Sequence, residues 1–476
     1  MRPIDRCCAS LALALAVLSA CATIRQPPPF PAAANARTLD ARTLDDPRLL
    51  RFVAAGRALA GSVARAGAWD LDALGLAALY YHPDLDLARA RLASARAGAA
   101  AAAQAPNPSA TLSMGYNGTT SVPSPWTVGL MVDFIVETFG KREYRAAQAG
   151  HLADAAREDL ANATWRVRAG VRDALLDMWV SARRLALARR QLEARQSLAR
   201  LVERRFEAGA ASAPELGRER MARDRARLAV DAAQRDGAAA RARLAQAIGV
   251  PLRALHGVAI SLDAFDAPVP GAPEVSAGAL RERALTRRAD VQALLAEYAA
   301  AQSALQLELA RRWPDLRLGP GYTYDQGDHK YSIALGGELP LFNRNQGPIA
   351  VAEARREEVA ARFNALQARI AGAIDAAAAG LRAAARARAS ADALVAEARR
   401  REDGLRRAFD AGRLGRPALV AAQVELGAAR ISDLDARATE RRALGTLEDA
   451  LRTPLFGTSG ALPFEERNPR IASEDK

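Results

Sequence analysis

The chain is written twice. Residues 82–92 read HPDLDLARARL and residues 288–298 read RADVQALLAEY, an offset of 206. The same offset pairs Pro108 with Pro314 and Gly115-Tyr116 with Gly321-Tyr322. Val128 and Leu130 match Ile333 and Leu335 at 205. Phe206, Gly209, Pro214 and Leu216 match Phe409, Gly412, Pro417 and Leu419 at 203, as Leu244 and Pro251 match Leu447 and Pro454. Chance similarity in an Ala-rich chain does not hold proline, glycine and aromatic positions in register over such a length, so this is an internal duplication. Whatever the first half folds into, the second must fold into as well. The offset shifts only around segments of alternating residues, where loops absorb the difference. The short repeat ARTLD-ARTLD at 36–45 is a local slip without functional content.

Each unit opens with a helix. Residues 84–104 contain no proline, and Pro106, Asn107 and Pro108 stop them. Residues 111–117, TLSMGYN, then alternate, with Leu112, Met114 and Tyr116 on one face. After a loop at 118–125, Trp126, Val128, Leu130, Val132 and Phe134 share one face, and Thr127, Gly129, Met131 and Asp133 the other. In the second unit Leu316, Leu318, Pro320, Tyr322 and Tyr324 form one face, which Tyr331, Ile333, Leu335 and Leu339 continue after the turn DQGDH. A hairpin with one oily and one small or polar face is the pattern of a membrane barrel wall, and strands of about nine residues suffice to cross when tilted. A hairpin packed on a globular core would need further strands or a compact α/β partner, and neither is readable. Two hairpins supply four strands, fewer than the ~8 of the smallest barrels. A barrel would therefore take several chains; three would supply twelve strands.

A very long helix follows each hairpin. No proline lies between Pro125 and Pro214, or between Pro348 and Pro417. Leu160, Val167, Val171, Leu175, Met178, Leu185 and Leu192 form a heptad-like stripe. A helix over 142–207 would reach about 100 Å at ~1.5 Å per residue, far beyond a bilayer, and it is too charged to lie in one. It must project into water. The stretch FEAGAASAPEL at 206–216 ends it. Gly209 suits a C-cap with positive φ, and Pro214, preceded by Ser212 or Ala213, suits the first turn of a return helix. Glu215 then faces the favourable end of the helix dipole. Gly412 and Pro417 serve the same purposes in FDAGRLGRPAL at 409–419. The corner is a helix–helix hairpin at the far tip of a rod.

Composition agrees with this reading. Aromatic residues are only 5% of the chain, which speaks against a thick globular core, whereas Ala and Arg recur everywhere and cost little in helices. The formal charge of +13 first suggests nucleic acid, but the arginines are interleaved with acids, as in RRREDGLRR, which marks a solvated helix face. At the N-terminus MRPIDRCCAS is a short basic region, and LALALAVL is an apolar stretch too short to span a bilayer. Leu18-Ser19-Ala20-Cys21 resembles a bacterial lipobox, in which Cys21 becomes the lipidated first residue of the mature chain; the alternative is an ordinary signal peptide cleaved near Ala20 or Ala22. By the same resemblance, Ala22 after the cysteine implies sorting to the outer membrane. Cys7 and Cys8 leave with the leader, so no disulfide or thiolate site is expected. His82, His151, His256 and His329 are scattered, and no metal or cofactor site and no catalytic constellation is readable.

With leader, hairpins, long helices, tips and return helices in place, the chain resembles the TolC family of outer-membrane efflux proteins over nearly its whole mature length. The tips resemble the family pattern Arg-aromatic-x-x-Gly-x-x-Ser-x-x-Asp-Leu through Arg205, Phe206, Gly209, Ser212, Glu215 and Leu216. The second copy, Phe409, Gly412, Gly415, Ala418 and Leu419, is looser, because Ala418 stands where the family often has Asp. PLFNRNQG at 340–347 and FGKR at 139–142 resemble the heavy-metal branch, the cobalt–zinc–cadmium and copper–silver exporters. The resemblance implies a mainly α fold with a pair of membrane β-hairpins, duplicated as helix–hairpin–long helix–helix. It implies a homotrimer whose twelve-stranded outer-membrane β-barrel continues into a periplasmic α-barrel. A periplasmic adaptor would meet the tips (Phe206, Gly209, Ser212, Pro214, Glu215 and Leu216; Phe409, Gly412, Gly415, Pro417 and Leu419), and an inner-membrane pump would supply the energy. The duct does no chemistry, so no enzyme activity and no cofactor are implied. The divisions expected are a signal peptide at 1–20, a lipid anchor and N-terminal periplasmic segment at 21–80, a first repeat at 81–251, a linker at 252–285, a second repeat at 286–454 and a tail at 455–476.

Two sets of acids have two readings each. Asp133 and Glu338 occupy matching positions near the periplasmic end of each hairpin on the non-oily face. They are either lumen acids that favour cations or simply part of a face that must be wetted. Glu215 either belongs to a periplasmic gate or stabilises its helix N-terminus, by about 0.3–1 kcal/mol. Other functions that remain open are a duct for drugs or secreted proteins and a pore-less periplasmic coiled-coil scaffold.

Overall fold

The computed structural model describes residues 29–59, 68–119, 121–267, 269 and 278–455. Cys21 and the leader lie outside the described residues, as does the tail from 456. The chain divides into two units, 1–42 and 43–476. The described part of the first holds one short helix, α1 (Ala32–Asp40). The second begins with α2 (Pro47–Leu59) and α3 (Leu71–Tyr81), then runs α4 (Pro83–Ala102), β1 (Ser109–Tyr116), β2 (Trp126–Val136), α5 (Lys141–Glu207) and α6 (Ala213–Ile248). After two short 3₁₀ turns come α7 (Gly278–Arg287), α8 (Ala289–Ala310), β3 (Leu316–Asp325), β4 (Asp328–Gly336), α9 (Gln346–Asp410) and α10 (Arg416–Leu451). The order helix, hairpin, long helix, return helix thus occurs twice. Among the described residues the fold is mainly helical with one antiparallel sheet.

Local chemistry sets the boundaries. His82 caps α4 by accepting from the Asp84 N–H at 3.2 Å, with Pro83 in the first turn, so this histidine starts a helix. α5 is 67 residues and α9 is 65 residues, each about 100 Å at ~1.5 Å per residue. Among the described residues no helix is long and apolar enough to cross a membrane.

The four strands make one sheet in the order β1-β2-β3-β4, every neighbour antiparallel. The hairpins of the two repeats are therefore joined by β2 and β3, which pair from Thr127↔Asp325 to Val136↔Leu316. β3 turns into β4 through Gln326 and Gly327, both at positive φ (53° and 121°), as a two-residue hairpin requires. β1 and β4 are the edges, each paired on one side among the described residues.

The core lies where the helices of both repeats meet above the strands. α3 is buried nearly all round, from Leu71 to Tyr81, and packs against α5 and α6; a helix apolar on every side must be enclosed. The heptad stripe is buried at Leu160, Val167, Val171 and Leu175, but Met178, Leu185 and Leu192, nearer the tip, are only half-buried. Gly249 ends α6 at φ 84°, with the Tyr81 carbonyl oxygen 2.9 Å from where a Cβ would sit.

An ion-pair network crosses the core from one repeat to the other. Arg172 on α5 donates to Glu448 at 2.8 Å and to Asp449 at 2.8 Å, both on α10. The Trp165 indole N–H donates to Asp449 at 2.9 Å, and the Leu455 N–H to Glu448 at 2.6 Å. Arg172 is 6% exposed and Glu448 0%, so their pairing is desolvated. Burial opposes the charge on Arg172, yet its hydrogen bond to Asp449 and the carboxylates of Asp173 and Asp449 hold its pKa above the ordinary arginine value. The guanidinium lies flat on Gly445, where a Cβ would come within 2.9 Å of it.

Two outcomes follow for detergent-solubilised protein in chemical denaturation. Glu448→Ala removes one hydrogen-bonding carboxylate from the buried Arg172, which keeps Asp449 and Asp173, and costs about 1–3 kcal/mol. Gly209→Ala at the tip meets open space and costs about 1–2 kcal/mol from backbone strain alone. Gly249→Ala costs clearly more, because its Cβ also meets the Tyr81 carbonyl. Equal midpoints for the two glycine variants would show that the close approach at Gly249 does not matter.

Candidate functional site

Strand register sorts the sheet into two faces. On one, successive rows read Met114–Val128–Tyr324–His329, Leu112–Leu130–Tyr322–Tyr331 and Ala110–Val132 beside Pro320–Ile333. Phe134–Leu318–Leu335 and Val136–Leu316 complete it. Most of these side chains are exposed, up to 83% for Tyr331 and 79% for Ile333, while Val128, Val132 and Tyr324 are half-buried. An apolar face continuous across four strands and left uncovered fits lipid and nothing aqueous.

The opposite face is small and polar. Its rows are Gly115–Thr127–Asp325–Asp328, Ser113–Gly129–Thr323–Lys330 and Thr111–Met131–Gly321–Ser332. Near the turns Asp325 accepts from Thr127 at 2.9 Å and from Lys330 at 2.5 Å. Nearer the helices Asp133 pairs with Ser109, and its carboxylate lies over Gly319, 2.7 Å from where a Cβ would sit. Glu338 is placed differently from Asp133. β4 ends at Gly336, so Glu338 lies beyond the sheet, beside a cavity of about 370 Å³ that Glu137, Lys141 and Arg145 also line. The constant offset that made the two acids equivalent breaks because β2 is 11 residues and β4 only 9.

The stretches FGKR and PLFNRNQG form the corners where strand becomes helix. Gly140 and Asn345 stand immediately before α5 and α9, both left-handed at φ 72° and 63°. Phe139 stacks on Trp313 of the other repeat with centroids 5.0 Å apart. Lys141 is buried and donates to the Trp313 carbonyl at 2.7 Å and to Asp315 at 2.6 Å. The Asn345 amide donates to the Glu308 carbonyl at 2.7 Å. Both stretches turn the chain, and Phe139 and Lys141 also fasten the first repeat to the second.

The two tips share one backbone pattern. In the first, Gly209 (φ 72°) donates to the Phe206 carbonyl and Ala210 to that of Arg205. In the second, Gly412 (φ 70°) donates to Phe409 and Arg413 to Ala408. This closes a helix through a left-handed residue. The side chains differ. Ser212 caps α6 by accepting from the Glu215 N–H at 3.4 Å, and Pro214 sits in the first turn. Gly415 begins α10 with no side-chain cap, followed by Pro417. Glu215 accepts weakly from Arg205 at 3.5 Å, within its own tip. Phe206 is 41% exposed, whereas Leu216 is buried with Leu198, Val202 and Val420 in a small cluster that joins the tips. Phe409 and Leu419 line a groove beside the second tip. Sequence reasoning missed the Arg172–Glu448 pair. A signal for half of it was present: Glu448 interrupts an apolar stripe of Leu444, Leu447 and Leu451, which marks a buried acid but does not name its partner.

Residues 76–250 match the family model described as outer membrane efflux protein. Over 328 residues the chain is 27% identical to the pyoverdine export outer membrane protein OpmQ of Pseudomonas aeruginosa, a match covering 63% of this chain and 68% of that protein. Its fold is similar to that of a membrane protein from Pseudomonas aeruginosa (TM-score 0.67, 19% identity, 82% of this chain and 92% of the other). It is similar to the outer membrane protein VceC from Vibrio cholerae (TM-score 0.66, 18% identity, 81% and 96%). It is also similar to CusC (TM-score 0.66, 18% identity, 81% and 92%), whose structures concern transmembrane channel formation.

Proposed function

We infer, from a first repeat that carries the outer membrane efflux protein family and a fold shared with outer-membrane channels, that this chain is one protomer of an efflux duct. Proteins of this family are channels and not enzymes. The observation that carries the reading is the open four-stranded sheet with one apolar, exposed face. In a bilayer every backbone N–H and C=O needs a protein partner, so a sheet with edges β1 and β4 is not a stable membrane structure by itself. Other copies must complete it. Three copies supply twelve strands, with β1 of one meeting β4 of the next and the polar face turned inward.

From that barrel α5 and α9 carry the duct about 100 Å into the periplasm. The tips end it, six per trimer, and meet a periplasmic adaptor that joins the duct to an inner-membrane pump. Transport through the duct is passive. Lipidation of Cys21 adds an anchor in the outer membrane. The finer proposal for cargo is heavy-metal cations, on the resemblance of FGKR and PLFNRNQG to that branch. Those residues form the turns into α5 and α9, so they support a lineage and not an ion site. A second reading, a small organic cargo, is favoured by the likeness to a pyoverdine exporter.

Purified protein reconstituted in planar bilayers should conduct; absence of conductance would favour a pore-less scaffold. Asp133→Asn should lower cation selectivity, and unchanged selectivity would reduce Asp133 to a wetted wall residue. Glu338→Gln should have a smaller effect, since Glu338 lies outside the sheet. In cells, a bulky residue at Gly209 or Gly412 should abolish export while trimers remain in the outer membrane. Gene deletion scored against metal ions and against dyes and antibiotics separates the two cargo readings.

A further inference from the structure

The polar face of β3 reads Arg317, Gly319, Gly321, Thr323 and Asp325, so Arg317 is the one long side chain on it. Its row across the sheet is Ile135–Arg317–Gly336. Neither neighbour covers the guanidinium. Gly336 has no side chain, and a Cβ built there would lie 3.9 Å from that of Arg317. Ile135 offers no acceptor. Arg317 is exposed, and its side chain has no ion-pair or hydrogen-bond partner among the described residues. β3 is an inner strand, paired with β2 and β4, so joining copies through β1 and β4 leaves Arg317 off the seams.

The charges around it are mostly committed. One step further from the turns, the same face leads to Glu137, Asp315 and Glu338. Glu137 is held by Arg145 at 2.5 Å and Asp315 by Lys141 at 2.6 Å. Glu338 has no ion-pair partner among the described residues, and neither has Arg312, which lines the same cavity. One step toward the turns stands Asp133, which also makes no ion pair there; its carboxylate lies over Gly319. Nearer the turns Lys330 is committed to Asp325. At the helix-proximal end of the sheet the two unpaired charges on the polar face are therefore Arg317 and Asp133, of opposite sign. They stand one row apart, roughly 7 Å along the strands, within the ~10 Å over which charges act on one another at 0.1 M salt.

We propose that Arg317 sets the charge selectivity of the duct: it offers a fixed cation to negatively charged groups on the cargo and opposes the pull of Asp133 on bare cations. The proposal rests on the duct reading, in which the polar face is turned inward. It adds a residue and a cargo class, a solute carrying negative charge either alone or beside a positive group. Cargo arriving from the helices meets the row of Arg317 before the row of Asp133. A bare cation is repelled at the first row before it is drawn to the second, whereas a solute with a carboxylate or phosphate finds a counter-charge at once. Fixed charges in a pore wall act in this way on passing ions without holding them. A purely structural role for Arg317 would need a partner in the sheet, and its side chain has none among the described residues.

The test is the reversal potential of the full-length protein in planar bilayers under a KCl gradient. Arg317→Gln should shift it toward cations, raising the ratio of K⁺ to Cl⁻ permeability roughly twofold or more near 0.1 M salt. Arg317→Lys, which keeps the charge, should stay close to the unmodified protein and so controls for folding and assembly. The double variant Asp133→Asn/Arg317→Gln should return near the starting ratio, because one charge of each sign is removed. The shift in Arg317→Gln should shrink in 1 M KCl, where charges act over only about 3 Å. A ratio unchanged in Arg317→Gln overturns the proposal, as does an equal change in Arg317→Lys. A shift undiminished by salt also overturns it, by marking an altered pore shape in place of a lost charge. A conducting pore indifferent to Arg317 sinks this proposal alone, and a silent unmodified protein sinks the duct and the proposal together.

Discussion

The pairing of β2 with β3 is the constraint from which the rest of the architecture descends. Each repeat alone would contribute a two-stranded hairpin, which is marginal by itself. Pairing across the repeats makes a four-stranded wall with one continuous apolar face. It also sets where the helices leave. α5 follows β2 and α8 precedes β3, so both stand at the same end of the sheet. There Phe139 stacks on Trp313 and Lys141 binds Asp315, locking the corner between repeats.

A second tie lies further along the helices. Arg172 on α5 holds Glu448 and Asp449 on α10, bringing the last helix of the second repeat against the first long helix of the first. Removing a buried pair as a unit is often tolerated, whereas removing one member leaves the other short of a partner that water does not replace; Asp449 and Asp173 soften that loss for Arg172. Beyond this network the packing thins toward the tips, where Leu185 and Leu192 are half-buried and the repeats are joined by the small cluster around Leu216 and Val420 and by Gln191 donating to the Val424 carbonyl.

Much of this was legible in the residues, for local reasons. Period-two alternation at Trp126–Phe134 gave the strands and their faces, because a strand sends successive side chains to opposite sides. Gly209 and Gly412 gave the tips, because both positions need positive φ. What was not legible is nonlocal. Nothing in the sequence pairs β2 with β3 rather than leaving two separate hairpins. The Arg172–Glu448 contact joins residues 276 positions apart, and no period reports that. Glu338 misled for a different reason. Duplication keeps residues in register only while the elements keep their lengths, and β4 ends too early to carry it. The corner stretches FGKR and PLFNRNQG read as marks of a lineage, while their physical work is a left-handed turn into each long helix.

The open edges of the sheet bear on how such a wall comes into being. In the proposed duct β1 of one copy meets β4 of the next, two different surfaces, so contact between chains would be head to tail and would close only when the ring is complete. Before closure two rows of polar backbone would face hydrocarbon, which is costly enough to make partial rings scarce. Insertion and oligomerisation of such a duct would then be one cooperative event, and the stability of the strands would depend on how many chains are present in the membrane. A weakened β1–β4 contact would be felt at every seam of the ring at once, giving a steep dependence of assembled protein on expression level.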